Sequence, residues 1–156
     1  MRRYNVFIDG CCLNVQDKEL AVGGWGFVIV DTKDNKIIHE SYGKLRNGAQ
    51  NSTRSELEAL CQVLRWINKN DNKNTLYHFY SDYKAMIDCV AGSSKRIAHR
   101  EFWDEIEQIL LKIVGRTQMS HVISHQLDGD EISQLNNYVD KLAKTGANSL
   151  LIAPVA

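Results

Sequence analysis

Residues 4–12 read YNVFIDGCC. Val6, Phe7 and Ile8 form an apolar, β-prone run that stops at the carboxylate of Asp9, with Gly10 behind it. Asp-Gly is a common turn dipeptide, so in isolation the pair reads as a strand turning into a loop. The other reading is a charge held at the centre of a sheet. It requires further carboxylates where a fold could bring them to the same place.

The neighbouring stretches show what kind of fold that is. After a polar loop at 11–22, residues 23–31 (GGWGFVIVD) read as a second strand, and 35–45 (NKIIHESYGKL) alternates as a third. In that third strand Ile37 or Ile38, then Tyr42, are expected on one side. The short DTKDNK at 31–36 between the two runs reads as a hairpin connection. At 51–70 the period changes: Leu57, Leu60, Cys61, Leu64 and Ile67 fall at helical spacing, and Thr53 with Glu56 fits a capping box. Residues 75–82 (TLYHFYSD) make a fourth strand that again stops at an aspartate, Asp82. A short helix ended by Gly92 follows, then a helix over 99–115 with Phe102, Ile106, Ile109, Leu110 and Ile113 buried. TQMSHVIS at 117–124 is a fifth strand, and 134–148 is a last helix with Leu135, Val139, Leu142 and Ala143 inward and Gly146 as its stop.

The order β-β-β-α-β-α-α-β-α predicts an α/β fold: a five-stranded mixed sheet, three strands antiparallel and two parallel, flanked by helices. In such folds the carboxyl ends of parallel strands open on a shared crevice. Asp9 and Asp82 both sit at such ends.

A chain of 156 residues with 44% hydrophobic content and one proline suits a single compact domain. We expect that domain over 1–148, with 149–156 (SLLIAPVA) as a tail. No apolar run approaches the roughly 20 residues that span a bilayer, and the basic start Met1-Arg2-Arg3 runs straight into a strand rather than a leader. Cys11, Cys12, Cys61 and Cys89 lack metal-ligand spacing, and adjacent Cys11 and Cys12 make a poor disulfide pair, so reduced thiols and a cytoplasmic setting are expected. Nineteen basic residues balance nineteen acidic ones, which by itself argues against a phosphate-binding surface. If four acids are spent on cations, the remainder carries a basic excess of four.

Those four are Asp9, Glu56, Asp82 and Asp140. Each has an ordinary explanation: a turn, a capping box, a helix N-cap, a solvated helix boundary. Brought together they would repel one another, and hard oxygen ligands of that kind suit Mg2+ or Mn2+.

The segments FIDGCCL (7–13), TRSELEAL (53–60), FYSDYKAMI (79–87) and NNYVDKLAK (136–144) resemble, in order and spacing, the four signature segments of type 1 ribonuclease H. GGWGFVI at 23–29 stands where that family has its glycine-rich second strand. The resemblance implies that Asp9 is a metal ligand and not a turn residue, bridging two Mg2+ ions roughly 3.5–4 Å apart, with Mn2+ able to substitute. It implies that Asp140 helps hold the ion that activates water, and that Glu56 and Asp82 hold the ion at the leaving 3′-oxygen. The implied reaction is hydrolysis of the RNA strand of an RNA–DNA hybrid, by a monomer, leaving 5′-phosphate and 3′-hydroxyl ends. His125, 15 residues before Asp140, matches a histidine that assists a proton or product step.

Gly10, Cys11, Asn14, Ser52, Thr53, Lys84 and Asn136 are the implied substrate contacts. Several depart from the family pattern. Ser52 and Thr53 replace asparagines of longer reach, and Lys84 replaces a glutamine, trading a base or sugar contact for a phosphate contact. The loop from His125 to Asp140 is longer than in well-known bacterial members. No basic helical protrusion fits in GSSKRIAHR at 92–100, although Lys95, Arg96 and Arg100 remain there as phosphate contacts. Two other readings stay open at this point: a DNA nuclease or resolvase of the wider superfamily, and a non-catalytic hybrid-binding module.

Overall fold

The computed structural model describes residues 1–92, 98–123 and 129–149. Its elements are β1 (Arg2–Leu13), β2 (Val22–Asp31), β3 (Lys36–Lys44), α1 (Ser52–Asn70), β4 (Thr75–Ser81), α2 (Lys84–Ala91), α3 (Arg100–Lys112), β5 (Thr117–His121) and α4 (Glu131–Asn148). They form one five-stranded sheet in the order β3-β2-β1-β4-β5. β1, β2 and β3 pair antiparallel, while β1–β4 and β4–β5 pair parallel. The expected mixed sheet is therefore the one observed.

Alternation along β1 divides the core in two. Val6 and Ile8 face the α1 and α3 side, packing with Leu57, Leu60, Leu64 and Phe102. Phe7 faces the other side, with Val28, Val30, Val139 and Leu142 under α4. Two glycines in β2, Gly24 and Gly26, let α4 lie close to the sheet. A Cβ at Gly24 would fall 2.2 Å from the Ala147 nitrogen and 2.3 Å from the Ala143 oxygen.

Several sequence expectations change. β1 does not end at Asp9 but runs on to Leu13, since its ladder with β2 continues to Leu13↔Val22. Only the parallel ladder with β4 stops early, at Phe7↔Tyr80. Asp9 is thus mid-strand, just past the last parallel pair. Gly146 lies inside α4, where a Cβ would sit 2.3 Å from the Gly43 oxygen. Close packing, not helix termination, is its role. Ile37 and Ile38 are both exposed, on an edge strand whose register with β2 shifts near Ile29/Val30. Thr53 and Glu56 form no capping box. Asn51 is the N-cap of α1, its side chain accepting from the Arg54 N–H at 2.9 Å.

Behind α1, Asp71 ties three elements together. It accepts from Arg116 (2.8 and 2.7 Å) and from the Tyr77 hydroxyl (2.8 Å), and Arg116 also donates to the Thr75 carbonyl. The Arg116 guanidinium, followed by the Tyr77 hydroxyl, holds the Asp71 carboxyl down to about 2. A lowered carboxyl pKa contributes stability above the unfolded value and loses it as pH falls through the folded one. Asp71→Asn is expected to cost about 1–2 kcal/mol at neutral pH, with the gap to wild type closing between about pH 4 and pH 2. Urea denaturation across that range checks it.

Candidate metal centre

The site is built where β1 outlives its parallel partner. Asp9, on β1, is 3% exposed, and its Oδ1 accepts from the Gly10 N–H at 2.9 Å. Glu56 arrives from the second turn of α1 and is 7% exposed. Freed from capping by Asn51, its carboxylate turns toward the sheet. Asp82 follows the last residue of β4 and is half-buried. It does not cap α2, whose N-cap is Tyr83. One carboxylate oxygen from each of Asp9, Glu56 and Asp82 lies within 4.8 Å of the others.

Gly10 makes this convergence possible. A Cβ there would fall 2.2 Å from the Ser55 carbonyl carbon and 2.4 Å from the Glu56 nitrogen. The first turn of α1 rests directly on the β1 backbone, and only glycine permits that.

Asp140 reaches the site from α4, close enough to raise the Asp9 pKa, while its Oδ2 pairs with Lys144 Nζ at 3.0 Å. The role of Lys144 went unread in the sequence, although an Asp and a Lys four apart on a helix are a readable pair.

Burial and mutual repulsion set the electrostatics of the cluster. Burial, then the charge of Asp82, pushes the Asp9 carboxyl up to about 8. Burial, then Asp9, raises Glu56 well above the carboxylate range. Glu56 Oε2 is buried with no hydrogen-bond partner among the described residues. An orphaned carboxylate oxygen beside two other acids is the donor set of a hard divalent cation. The residues present fit such an ion.

The implied substrate contacts sit on β1 and the turn after it, at the starts of α1 and α2, and on α4. Cys11 continues β1 and is half-buried, and burial followed by Asp9 pushes its thiol up to about 12. Asn14 sits in the exposed turn after β1, with φ 57° and its side-chain amide donating to the Leu20 carbonyl. Ser52 is exposed at the start of α1, and Thr53 Oγ1 is 3.1 Å from the Tyr83 hydroxyl. Lys84 pairs loosely with Asp88 at 3.3 Å and is 70% exposed. Asn136 is buried one turn before Asp140, its Oδ1 unsatisfied among the described residues. Arg100 is taken up by Asp104 and Glu107 on its own helix, which weakens it as a phosphate contact. His125, Lys95, Arg96 and the tail from residue 150 lie outside the described residues. All four cysteines are free, and only Cys61 is fully buried.

No helix of the described residues is long and apolar enough to cross a membrane. A search of curated proteins gives no match. Among solved structures, LC11-RNase H1, isolated from compost by a metagenomic approach, is 20% identical with a TM-score of 0.74, over 95% of this chain and 97% of that one. LC11-RNase H1 in complex with an RNA/DNA hybrid gives 19% and 0.72, over 93% and 96%. Prototype foamy virus protease-reverse transcriptase gives 16% and 0.77 over 97% of this chain, which spans only 21% of that longer one. At these identities the structural likeness speaks for the fold. The RNase H family model matches residues 1–148. The chain belongs to the RNase H family.

Proposed function

We propose that residues 1–148 are a metal-dependent endonuclease domain that hydrolyses the RNA strand of RNA–DNA hybrids, leaving 5′-phosphate and 3′-hydroxyl ends. The observation that carries this reading is the Asp9–Glu56–Asp82 cluster, two of its acids buried, with its unpartnered Glu56 oxygen. LC11-RNase H1 has been solved on an RNA/DNA hybrid, which supports the substrate class. Asp9, Glu56, Asp82 and Asp140 would hold two Mg2+ ions, or Mn2+ in their place. Bound there, the ions supply Lewis acidity to the attacking and leaving oxygens.

The chain's own residues do the rest. Gly10 seats α1 so that Glu56 meets Asp9, and Lys144 holds Asp140 at the mouth. Ser52, Thr53 and Lys84 would touch the hybrid, with Gly10, Cys11, Asn14 and Asn136 lining its path. Discrimination of a hybrid requires sensing 2′-hydroxyls on one strand and the form of the duplex as a whole.

The test is cleavage of matched RNA–DNA, RNA–RNA and DNA–DNA duplexes with Mg2+ and with Mn2+. Cleavage confined to the RNA strand of the hybrid supports the reading. Preferential cutting of DNA would favour a resolvase-like nuclease, and hybrid binding without cleavage a binding module.

Two further outcomes are expected. Hybrid binding should depend shallowly on salt, because a chain of zero net charge neutralises few phosphates and the slope tracks that number. A titration of affinity against salt concentration measures it, and a slope as steep as that of a strongly basic DNA binder contradicts it. His125→Ala should lower turnover by at most about 10²–10⁴-fold while sparing substrate binding, as befits an auxiliary proton or product-release group. Single-turnover and steady-state cleavage by wild type and variant separate those two roles. Unchanged rates in both regimes would return His125 to an ordinary loop residue.

A further inference from the structure

We propose that the bare end of the sheet, over β4 and away from the metal centre, is a binding site for one unpaired nucleotide, its base stacked on His78. α4 packs across β1, β2 and β3, and among the described residues no helix packs closely along β4. The register places Arg3, Asn5 and Phe7 of β1 on this face, beside Leu76, His78 and Tyr80 of β4. Gln118 and Ser120 of β5 lie next to His78 and Tyr80. A cavity of about 420 Å³ opens here, lined by Arg3, Asn5, Thr32, Leu76, His78 and Gln118 among others.

Its floor includes the His78 ring, backed by two further stacked aromatic rings. Phe7 stacks on Tyr80 with centroids 4.9 Å apart at 11°, and Tyr80 on His78 at 4.2 Å and 17°. Of these three rings, only His78 reaches the cavity. Both of its nitrogens are engaged, Nε2 with Ser120 Oγ at 2.7 Å and Nδ1 with the Tyr80 hydroxyl at 3.2 Å. The ring is therefore held by its edge, and what it offers a ligand is the π face that Tyr80 does not cover. A planar base is the complement of such a face.

The walls supply the rest of a nucleotide's chemistry. Among the described residues, the side chains of Asn5 and Gln118 have no hydrogen-bond partner, and each carries a donor and an acceptor. That pairing matches the N6/N7 edge of adenine best. Arg3 is exposed and unpaired at the rim, a counter-charge for phosphate. Arg116 also lines the cavity, but its guanidinium is committed to Asp71. Among the described residues no carboxylate lines the cavity, the opposite of the metal centre. The ligand would be a free adenine nucleotide or the same unit at a single-stranded end of nucleic acid.

The experiment is NMR titration of the 15N-labelled protein in EDTA with AMP, adenosine, inorganic phosphate and the trinucleotide rA3. AMP is expected to shift the Asn5 and Gln118 side-chain amides and the His78 imidazole, and phosphate alone to shift none of these three. Gln118→Ala and His78→Ala should each weaken AMP binding by about tenfold, in line with the loss of one stacking or base-edge contact. Gln118→Ala, on the surface, should fold as wild type and cleave a blunt hybrid at the wild-type rate. rA3 binding tighter than AMP, by a margin lost in Gln118→Ala, assigns the site to single-stranded ends. Equal affinities assign it to free nucleotide. Absence of shifts at these three side chains up to about 10 mM AMP, or unchanged affinity in both variants, overturns the proposal. Neither result touches hybrid cleavage, which is read separately.

Discussion

Asp9→Asn is expected to reduce hybrid cleavage by at least about 10³-fold, a ligand shared by the proposed ions being worth no less than one transition-state hydrogen-bond donor. The same substitution should leave the fold intact and raise the melting temperature of the metal-free protein. Asp9 is buried beside Glu56 and Asp82, and its carboxyl stands at about 8 rather than near 4. An acid whose folded pKa is raised binds more protons folded than unfolded over that interval, so wild-type stability falls as pH rises through it. Asparagine carries no such dependence. The stability advantage of the variant should therefore be small near pH 4 and largest near pH 8. Thermal melts in EDTA over that range, beside cleavage assays in Mg2+, check both halves. Near-wild-type activity in Mg2+ would refute the proposed role of Asp9. Added Mg2+ should stabilise the wild type and leave Asp9→Asn nearly unmoved, because it is the charge on Asp9 that the ion neutralises.

Gly10→Ala is expected to damage both the fold and the site, by a purely steric route. The added methyl carbon would lie 2.2 and 2.4 Å from backbone atoms of Ser55 and Glu56, which no rotamer change can relieve. The first turn of α1 must lift from β1. Overpacking of this kind costs about 1–3 kcal/mol or more, or roughly 2–12 °C in a chain of this length. Because Glu56 follows directly on that turn, its carboxylate moves away from Asp9. A displacement of about 1 Å at a reacting centre can cost about 10²-fold in rate. Melting curves and cleavage rates of the same preparation test both. A variant that lost stability but kept full activity would show that the Asp9–Glu56 approach is not what the reaction needs.

Much of the architecture was legible in the residues because it rests on local rules. The period change between Tyr42 and Leu57, the Leu57–Ile67 stripe and the left-handed Gly92 after α2 are read from spacing and side-chain type, and the structure keeps them. Element boundaries were less legible where a neighbour sets them. β1 was read as ending at Asp9, yet it continues to Leu13 because β2 still pairs with it after β4 has stopped. Gly146 has the look of a helix stop in one dimension and proves to be the place where α4 meets Gly43.

The four carboxylates show the same division. Their identities and order are written in the chain, and each is locally explicable as a turn, a cap or a solvated helix position. What makes Asp9, Glu56 and Asp82 a cluster is the close seating of α1 on Gly10, the extra length of β1 and the capping of α1 by Asn51. Those are contacts between residues far apart in sequence, so no periodicity or propensity encodes them individually. The bare face around His78 lies wholly on that side of the line. Its register across β1, β4 and β5 exists only once three separate segments have paired.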